Sequence, residues 1–321
     1  MESLMIRRFT AVLAGAAMLL SAAACGAKET PPSTPGTPDK VTAGVVAIVD
    51  VAPIYLGKQK GFFTEQNIDL TLQTAQGGAA VVPAVAAGTY QFGFSNSISV
   101  LVAHTNGVPI KAIASGNGTT GNATADFSGL VVKDPAITSP KALVGKKVAT
   151  NTLKNIVDTS IKELVKRDGG DPAAVSLVEL AFPDMVGALD TNKVDAIFVV
   201  EPFLSAAKAK GWKVIGSFAA LDPAMCVALY VTSQALAQSN PDLVARFTTA
   251  MKKSLAYAES HPDEVRAILG SYTQIAENVR QGMTLPKWPA DINRASLDKL
   301  ADLIVANGLT SKKPDVAAVV S

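Results

Sequence analysis

The sequence predicts an α/β protein built as two lobes around one cleft, and three observations predict it. The first is residues 187–203, GALDTNKVDAIFVVEPF. A helical end breaks at Asn192-Lys193, an apolar run over 194–200 follows with only Asp195 interrupting it, and Glu201-Pro202 closes it. Such a run reads as a buried parallel strand, and open α/β sheets take their ligands beyond the carboxyl ends of their strands, where Glu201 stands. The second is a repeat of this pattern in residues 81–96: a helix, a Gly88-Thr89 turn, a short strand over 91–94 and a polar tip, Ser95-Asn96. The third is length, since 321 residues suffice for two separate cores.

The chain opens on a basic start, Arg7-Arg8, an apolar segment over 9–20 and a small-residue exit, Ser21-Ala22-Ala23-Ala24-Cys25. The apolar segment is too short to cross a bilayer, so residues 1–25 read as a secretory signal. Residues 20–26 (LSAAACG) resemble a bacterial lipobox, whose cysteine becomes a lipidated N-terminus; the alternative is an ordinary cleaved leader ending in Ala22 to Ala24. Residues 26–40 are rich in Pro, Thr and Ser and read as an extended tether. A lipid on Cys25, a spacer and a globular body describe a protein anchored at the outer face of a membrane. Cys226 is then left alone, without an internal disulfide, as a small core residue. The formal net charge of +2 gives no electrostatic case for nucleic acid.

In the first lobe, residues 41–51 read as a strand closed by Ala52-Pro53. A short helix to Gly61, the pair Phe62-Phe63, a turn at Gln66-Asn67 and a strand over 68–73 follow. Gly77-Gly78 then opens a helix over 79–87. Glycines let the backbone approach a ligand, and the free N–H groups of a helix start favour an anion. The plainer reading of the pair is a turn.

At this point a family resemblance becomes specific. The run APIYLGxxxGFFxExxIDL (52–70), the Gly-Gly helix, AxAAGTYQFGFSNS (84–97 with Val85 at x), NGVPIKAIAS (106–115), LVGKKVA (143–149) and VDAIFVVEPF (194–203) together resemble one class of ABC-importer substrate-binding proteins. That class is the one for nitrate, sulfonate, taurine and thiamine precursors. The resemblance covers essentially the whole chain after the leader and implies a two-lobe, Venus-flytrap-like architecture of the periplasmic-binding-protein kind, with no catalysis and no cofactor. Two departures stand out. The family commonly has an aspartate at the position of Gln91, as the second repeat does at Asp195. Residues 116–126 (GNGTTGNATAD) match no ligand-specific version and read as a polar loop near the crossover, either solvated or lining the cleft.

The second lobe enters by a strand over 128–133. A strand over 145–149 ends in Thr150-Asn151-Thr152-Leu153-Lys154-Asn155, and a helix spans about 156–167. By resemblance this junction is the counterpart of Gly77-Gly78, with Thr152 and Asn155 as ligand contacts; both are equally suited to N-capping. A strand over 175–180 and a helix from Phe182 lead back to Glu201. The Glu201 carboxylate is suited to accept from a ligand amine or hydroxyl, or to start the helix that follows it. Strands over 211–218 and 225–232 finish the lobe and return to the first. Crossings near 123–127 and 218–224 make a two-segment hinge. The expected division is 41–125 with 222–321 for the first lobe and 126–221 for the second. The remainder is helical: Asn240-Pro241-Asp242 starts a helix whose Leu243, Phe247, Met251 and Leu255 recur at core spacing.

His104 and His261, the only histidines, have no metal-ligand partners at suitable spacing, and no P-loop, G-x-S-x-G or dinucleotide motif is present. The expected function is therefore an extracytoplasmic, lipid-anchored solute-binding protein, monomeric, serving an ABC permease and its ATPase. Its expected site is Tyr55, Gly77, Gly78, Ser95, Asn96, Thr152, Asn155 and Glu201. Two helix starts favour an anionic end of the ligand and Glu201 a donor end, which suits taurine or a related sulfonate; nitrate meets only the first demand. A thiamine-precursor pyrimidine stacked on Tyr55 or Phe203 is the alternative, followed by a pyrimidine-synthase-like enzyme of the same fold and by a sensor that does not transport.

Overall fold

The computed structural model describes residues 36–320. The leader, Cys25 and the tether up to Pro35 lie outside the described residues. No helix among the described residues is long and apolar enough to cross a membrane.

Two five-stranded sheets organise the chain, and they share one plan. The first contains β1 (Asp39–Val45), β2 (Ile68–Thr74), β3 (Phe92–Asn96), β4 (Ile110–Gly118) and β10 (Cys226–Ser233), in the order β2-β1-β3-β10-β4. The second contains β5 (Ser128–Val132), β6 (Lys147–Thr150), β7 (Ser176–Glu179), β8 (Ala196–Val200) and β9 (Lys213–Gly216), in the order β7-β6-β8-β5-β9. In each, four strands run in the same direction, and the strand that crosses from the other lobe, β10 or β5, lies antiparallel between two of them, β3 and β4 or β8 and β9. The doubled pattern in the sequence is this doubled sheet.

Helices cover both sheets: α1 (Ala52–Gln59), α2 (Gly78–Ala86), α3 (Ser97–Thr105), α4 (Ile156–Arg167), α5 (Phe182–Asp190), α6 (Phe203–Lys208) and α7 (Phe218–Leu221). After β10 come α8 (Gln234–Ser239), α9 (Pro241–Ser260), α10 (Pro262–Ile268), α11 (Glu277–Gln281), α12 (Arg294–Ala306) and α13 (Val316–Val320). The long α9 starts where Asn240 Oδ1 accepts from the Leu243 amide and Pro241 stands in the first turn. Its stripe of Leu243, Phe247, Met251 and Leu255 is buried, and Phe247 stacks on Phe92 of β3 with ring centroids 3.7 Å apart. Each such side chain contributes on the order of 1.5–3 kcal/mol of burial. This packing holds the C-terminal helices to the first sheet.

Two expectations need correction. The apolar run over 41–51 is not one strand: β1 ends at Val45, and Val49–Val51 forms a short 3-10 turn leading into α1. The turn is as buried as the strand, so apolar periodicity alone does not separate them. The strand also begins at Asp39, inside the expected tether, because Asp39 and Lys40 pair with Ile68 and Asp69 of β2.

The departure at Gln91 has a physical account. Gln91 Oε1 accepts from the Thr42 amide of β1 at 2.8 Å, and Asp195 Oδ2 accepts from the Lys147 amide of β6 at 2.8 Å. Equivalent positions in the two repeats thus satisfy the same orphan N–H, and an amide oxygen does so without a charge.

Candidate functional site

The two chain crossings, β4 to β5 and α7 to β10, are laced together by residues of the polar 116–126 segment. Gly116 to Gly118 belong to β4, and the rest forms the hinge. Thr119 Oγ1 donates to the Pro223 carbonyl at 2.7 Å, and Ser217 Oγ to the Ala123 carbonyl at 2.9 Å. The buried Asp126 carboxylate accepts from the Thr120 amide, the Ser128 hydroxyl and the Ala219 amide. With the Thr120 hydroxyl as a fourth donor, the buried carboxylate is satisfied within the hinge.

Between the sheets lies a narrow cavity of about 40 Å³, room for about three or four waters at the ~10–15 Å³ each requires. The first lobe lines it with Asp50, Gly78, Phe94, Asn96 and Ala228, and the second with Asn151, Asn155, Phe182 and Val200.

Each expected site residue has a definite place. Gly78 starts α2 with no side-chain cap at Gly77, and it lines the cavity. A Cβ on Gly78 would meet Ser95 Oγ at 2.6 Å and the Ser95 Cα at 2.8 Å, so only glycine lets the helix start lie this close to β3. Ser95 is buried behind that start, its hydroxyl without a partner. Gly77 lies across from the second lobe: a Cβ there would be 3.1 Å from Thr152 Cγ2. Asn96 lines the cavity and caps α3, accepting from the Ser99 amide at 2.9 Å.

Asn155 also lines the cavity, and its side chain is fully engaged. Its Oδ1 accepts from the Val157 and Asp158 amides, and its Nδ2 donates to Asn151 Oδ1 and Thr152 Oγ1. The Asp158 carboxylate completes a capping box by accepting from the Asn155 and Lys154 amides. That bond holds Lys154 in a left-handed backbone conformation, φ 56°. The start of α4 therefore already holds the protein's own carboxylate, unlike the start of α2.

Glu201 is fully buried at the tip of β8. Its carboxylate accepts from the Ser205 amide at 2.9 Å, the Ser205 hydroxyl at 2.8 Å and the Thr284 amide at 3.3 Å, while its backbone carbonyl accepts from the Val49 amide at 3.0 Å. It starts α6 and ties the second lobe to the first. Burial pushes its pKa up, and the Ser205 bonds oppose that. Tyr55 stands away from the cavity lining, stacked on Tyr272 with centroids 3.9 Å apart. Phe203 stacks on Phe182, which itself lines the cavity.

Sequence reasoning missed Asp50. It is 2% exposed, in the 3-10 turn after β1, and it is the one ionisable side chain among the described residues lining the cavity. Asn117 Nδ2 donates to Asp50 Oδ1 at 2.9 Å, whereas Oδ2 has no partner. Burial pushes its pKa up to about 7, with its own backbone amide and Asn117 pulling down less and Asp126 pushing up. Asn117 Oδ1, Ser115 Oγ and Tyr230 Oη are buried without partners as well. The available signal was a lone acid inside the apolar run VVAIVDVA.

Two like α/β sheets joined by a double crossing over a gap lined from both sides define the periplasmic-binding-protein fold. The nitrate-binding protein NrtA of Synechocystis PCC 6803 shares it, with a TM-score of 0.77 over 88% of this chain and 85% of that one at 14% identity. So does the alkanesulfonate-binding protein SsuA of Xanthomonas axonopodis pv. citri, with a TM-score of 0.74 over 89% and 99% at 16% identity. Within that fold the chain belongs to the NMT1/THI5 like family, whose model matches residues 48–265. Similar proteins include the 4-amino-5-hydroxymethyl-2-methylpyrimidine phosphate synthase THI5 of Saccharomyces cerevisiae, 26% identical over 65% of this chain and 64% of that protein's length. The taurine-binding periplasmic protein of Escherichia coli is 27% identical over 58% of this chain and 56% of its own.

Proposed function

We propose that this chain is the extracytoplasmic solute-binding component of an ABC importer. It takes a small polar solute between its lobes, hands it to a membrane permease coupled to a cytoplasmic ATPase, and does no chemistry on it. The observation that carries this reading is the cavity lined from both lobes beneath a two-strand hinge, because such crossings let the lobes part and close without disturbing either core. The chain acts as a monomer without a cofactor, held to the membrane by lipid on Cys25.

A taurine-like sulfonate ranks first among solutes, since the uncapped start of α2 favours an anionic end. A thiamine-precursor pyrimidine is the second reading, favoured by the rings of Phe94, Phe182 and Phe218 in the cavity lining and by the pyrimidine phosphate synthases among the relatives. Thermal shift of the purified chain against sulfonates, nitrate, aminopyrimidines and amino acids tests the reading. A solute at a hundred times its Kd stabilises by about 2.7 kcal/mol. Absence of any shift, or turnover of a bound pyrimidine, counts against a pure binding role. Retention of a Cys25→Ala variant on membranes counts against the anchor.

A further inference from the structure

Resting on the solute-binding reading above, we infer that Asp50 is the specificity-determining residue of the cleft: its free carboxylate oxygen takes a nitrogen-bearing donor end of the solute, an ammonium or an amino group on a heteroaromatic ring. Four observations converge on this. The side chain lines the cavity and is 2% exposed, so a solute in the gap meets it in place of bulk water. The Asn117 bond holds Oδ1 at 2.9 Å and leaves Oδ2 as an acceptor without a donor. The Asn117 amide oxygen, on the group that holds Asp50, also lacks a donor among the described residues, so nothing on that side competes for the Asp50 oxygen. No Lys or Arg stands among the described residues lining the cavity, and the start of α4 is closed by Asp158. Among the described residues, Asp50 is therefore the one charge-bearing acceptor of the lining, opposite in preference to the start of α2.

A solute with no N–H, such as nitrate or a plain alkanesulfonate, would leave the Asp50 oxygen buried beside its own lone pairs. A taurine ammonium or an aminopyrimidine would satisfy it with a charge-assisted hydrogen bond. A site built to hydrogen-bond a donor rejects the analogue lacking it far more strongly than an apolar pocket rejects a missing methylene. Asp50 thereby discriminates among solutes that the helix start of α2 alone would accept alike.

Matched pairs of probes test this on the full chain in mild detergent by calorimetry: taurine against ethanesulfonate, and 4-aminopyrimidine against pyrimidine. The expected result is that the donor-bearing member of at least one pair binds tenfold or more tightly than its partner. Asp50→Asn should then cut that preference by tenfold or more. The substitution is isosteric and keeps an oxygen for Asn117 to bond, while turning the free oxygen into a donor. If Asp50→Asn fails to fold, the ratio within each pair in the unaltered chain still decides. Equal binding of both members of each pair overturns the role of Asp50 and leaves solute binding standing. No binding across these probes and the wider thermal-shift set overturns solute binding, and the role of Asp50 with it.

Discussion

The Asp50 carboxyl makes a pH signature at the scale of one residue. Its pKa in the fold lies near 7, raised first by burial, against 3.8 when free of the fold. Between those values the native state keeps a proton that the unfolded state has lost. Stability is thus fully present below about pH 4 and declines as pH rises toward 7. Three pH units of difference correspond to roughly 4 kcal/mol. Glu201, also raised by burial, adds a change of the same sign. Urea unfolding at pH 5 and pH 8 should show the decline in the unaltered chain and a clearly smaller one in Asp50→Asn. Parallel declines in both proteins would mean that Asp50 titrates normally. The acid itself was legible as an odd residue in an apolar run. Its free oxygen was not, because that depends on Asn117, 67 positions away, holding the other one.

At the scale of elements, the start of α4 decides what the second lobe shows to the cleft. Thr152 and Asn155 were equally readable as ligand contacts or as capping groups, since both tasks call for short polar side chains. The structure engages every polar atom of the Asn155 side chain in capping α4 and in fixing Asn151 and Thr152. Asn155→Ala should lower stability by about 1–2 kcal/mol through the lost cap. Denaturant midpoints measure this, and an unchanged midpoint would show that the Asp158 carboxylate alone sustains the helix start. The boundaries of α4 were readable from Asn155, the apolar face and the double glycine after it. Those of β1 were not, because a buried turn and a buried strand carry the same apolar signature.

At the scale of the molecule, Glu201 connects the lobes beyond the hinge. It accepts from Thr284 through its side chain and from Val49 through its backbone, both outside the second sheet. The Glu201→Ala variant loses the side-chain contact and keeps the backbone one, so its population of parted lobes should rise. A hydrogen bond to a charged group is worth about 1.5–3 kcal/mol, and apparent affinity falls with the closed fraction. Small-angle scattering should then report a larger radius of gyration than for the unaltered chain. An unchanged radius with a lowered melting temperature would reduce Glu201 to the start of α6. The doubled plan of the molecule was legible because strand-turn-tip patterns recur along the chain. The joining of the two halves through Thr284 was not, since no local pattern marks an amide 83 residues away as a partner.

The sequence by itself determined the paired α/β sheets and the family, because apolar periodicity, turn residues and strand-tip motifs are local and repeat. Only the tertiary structure decided which polar groups remain without a partner in the fold. Asn155 and Glu201 find partners within the fold and Asp50 Oδ2 finds none, and whether a donor reaches an acceptor depends on where distant strands bring it.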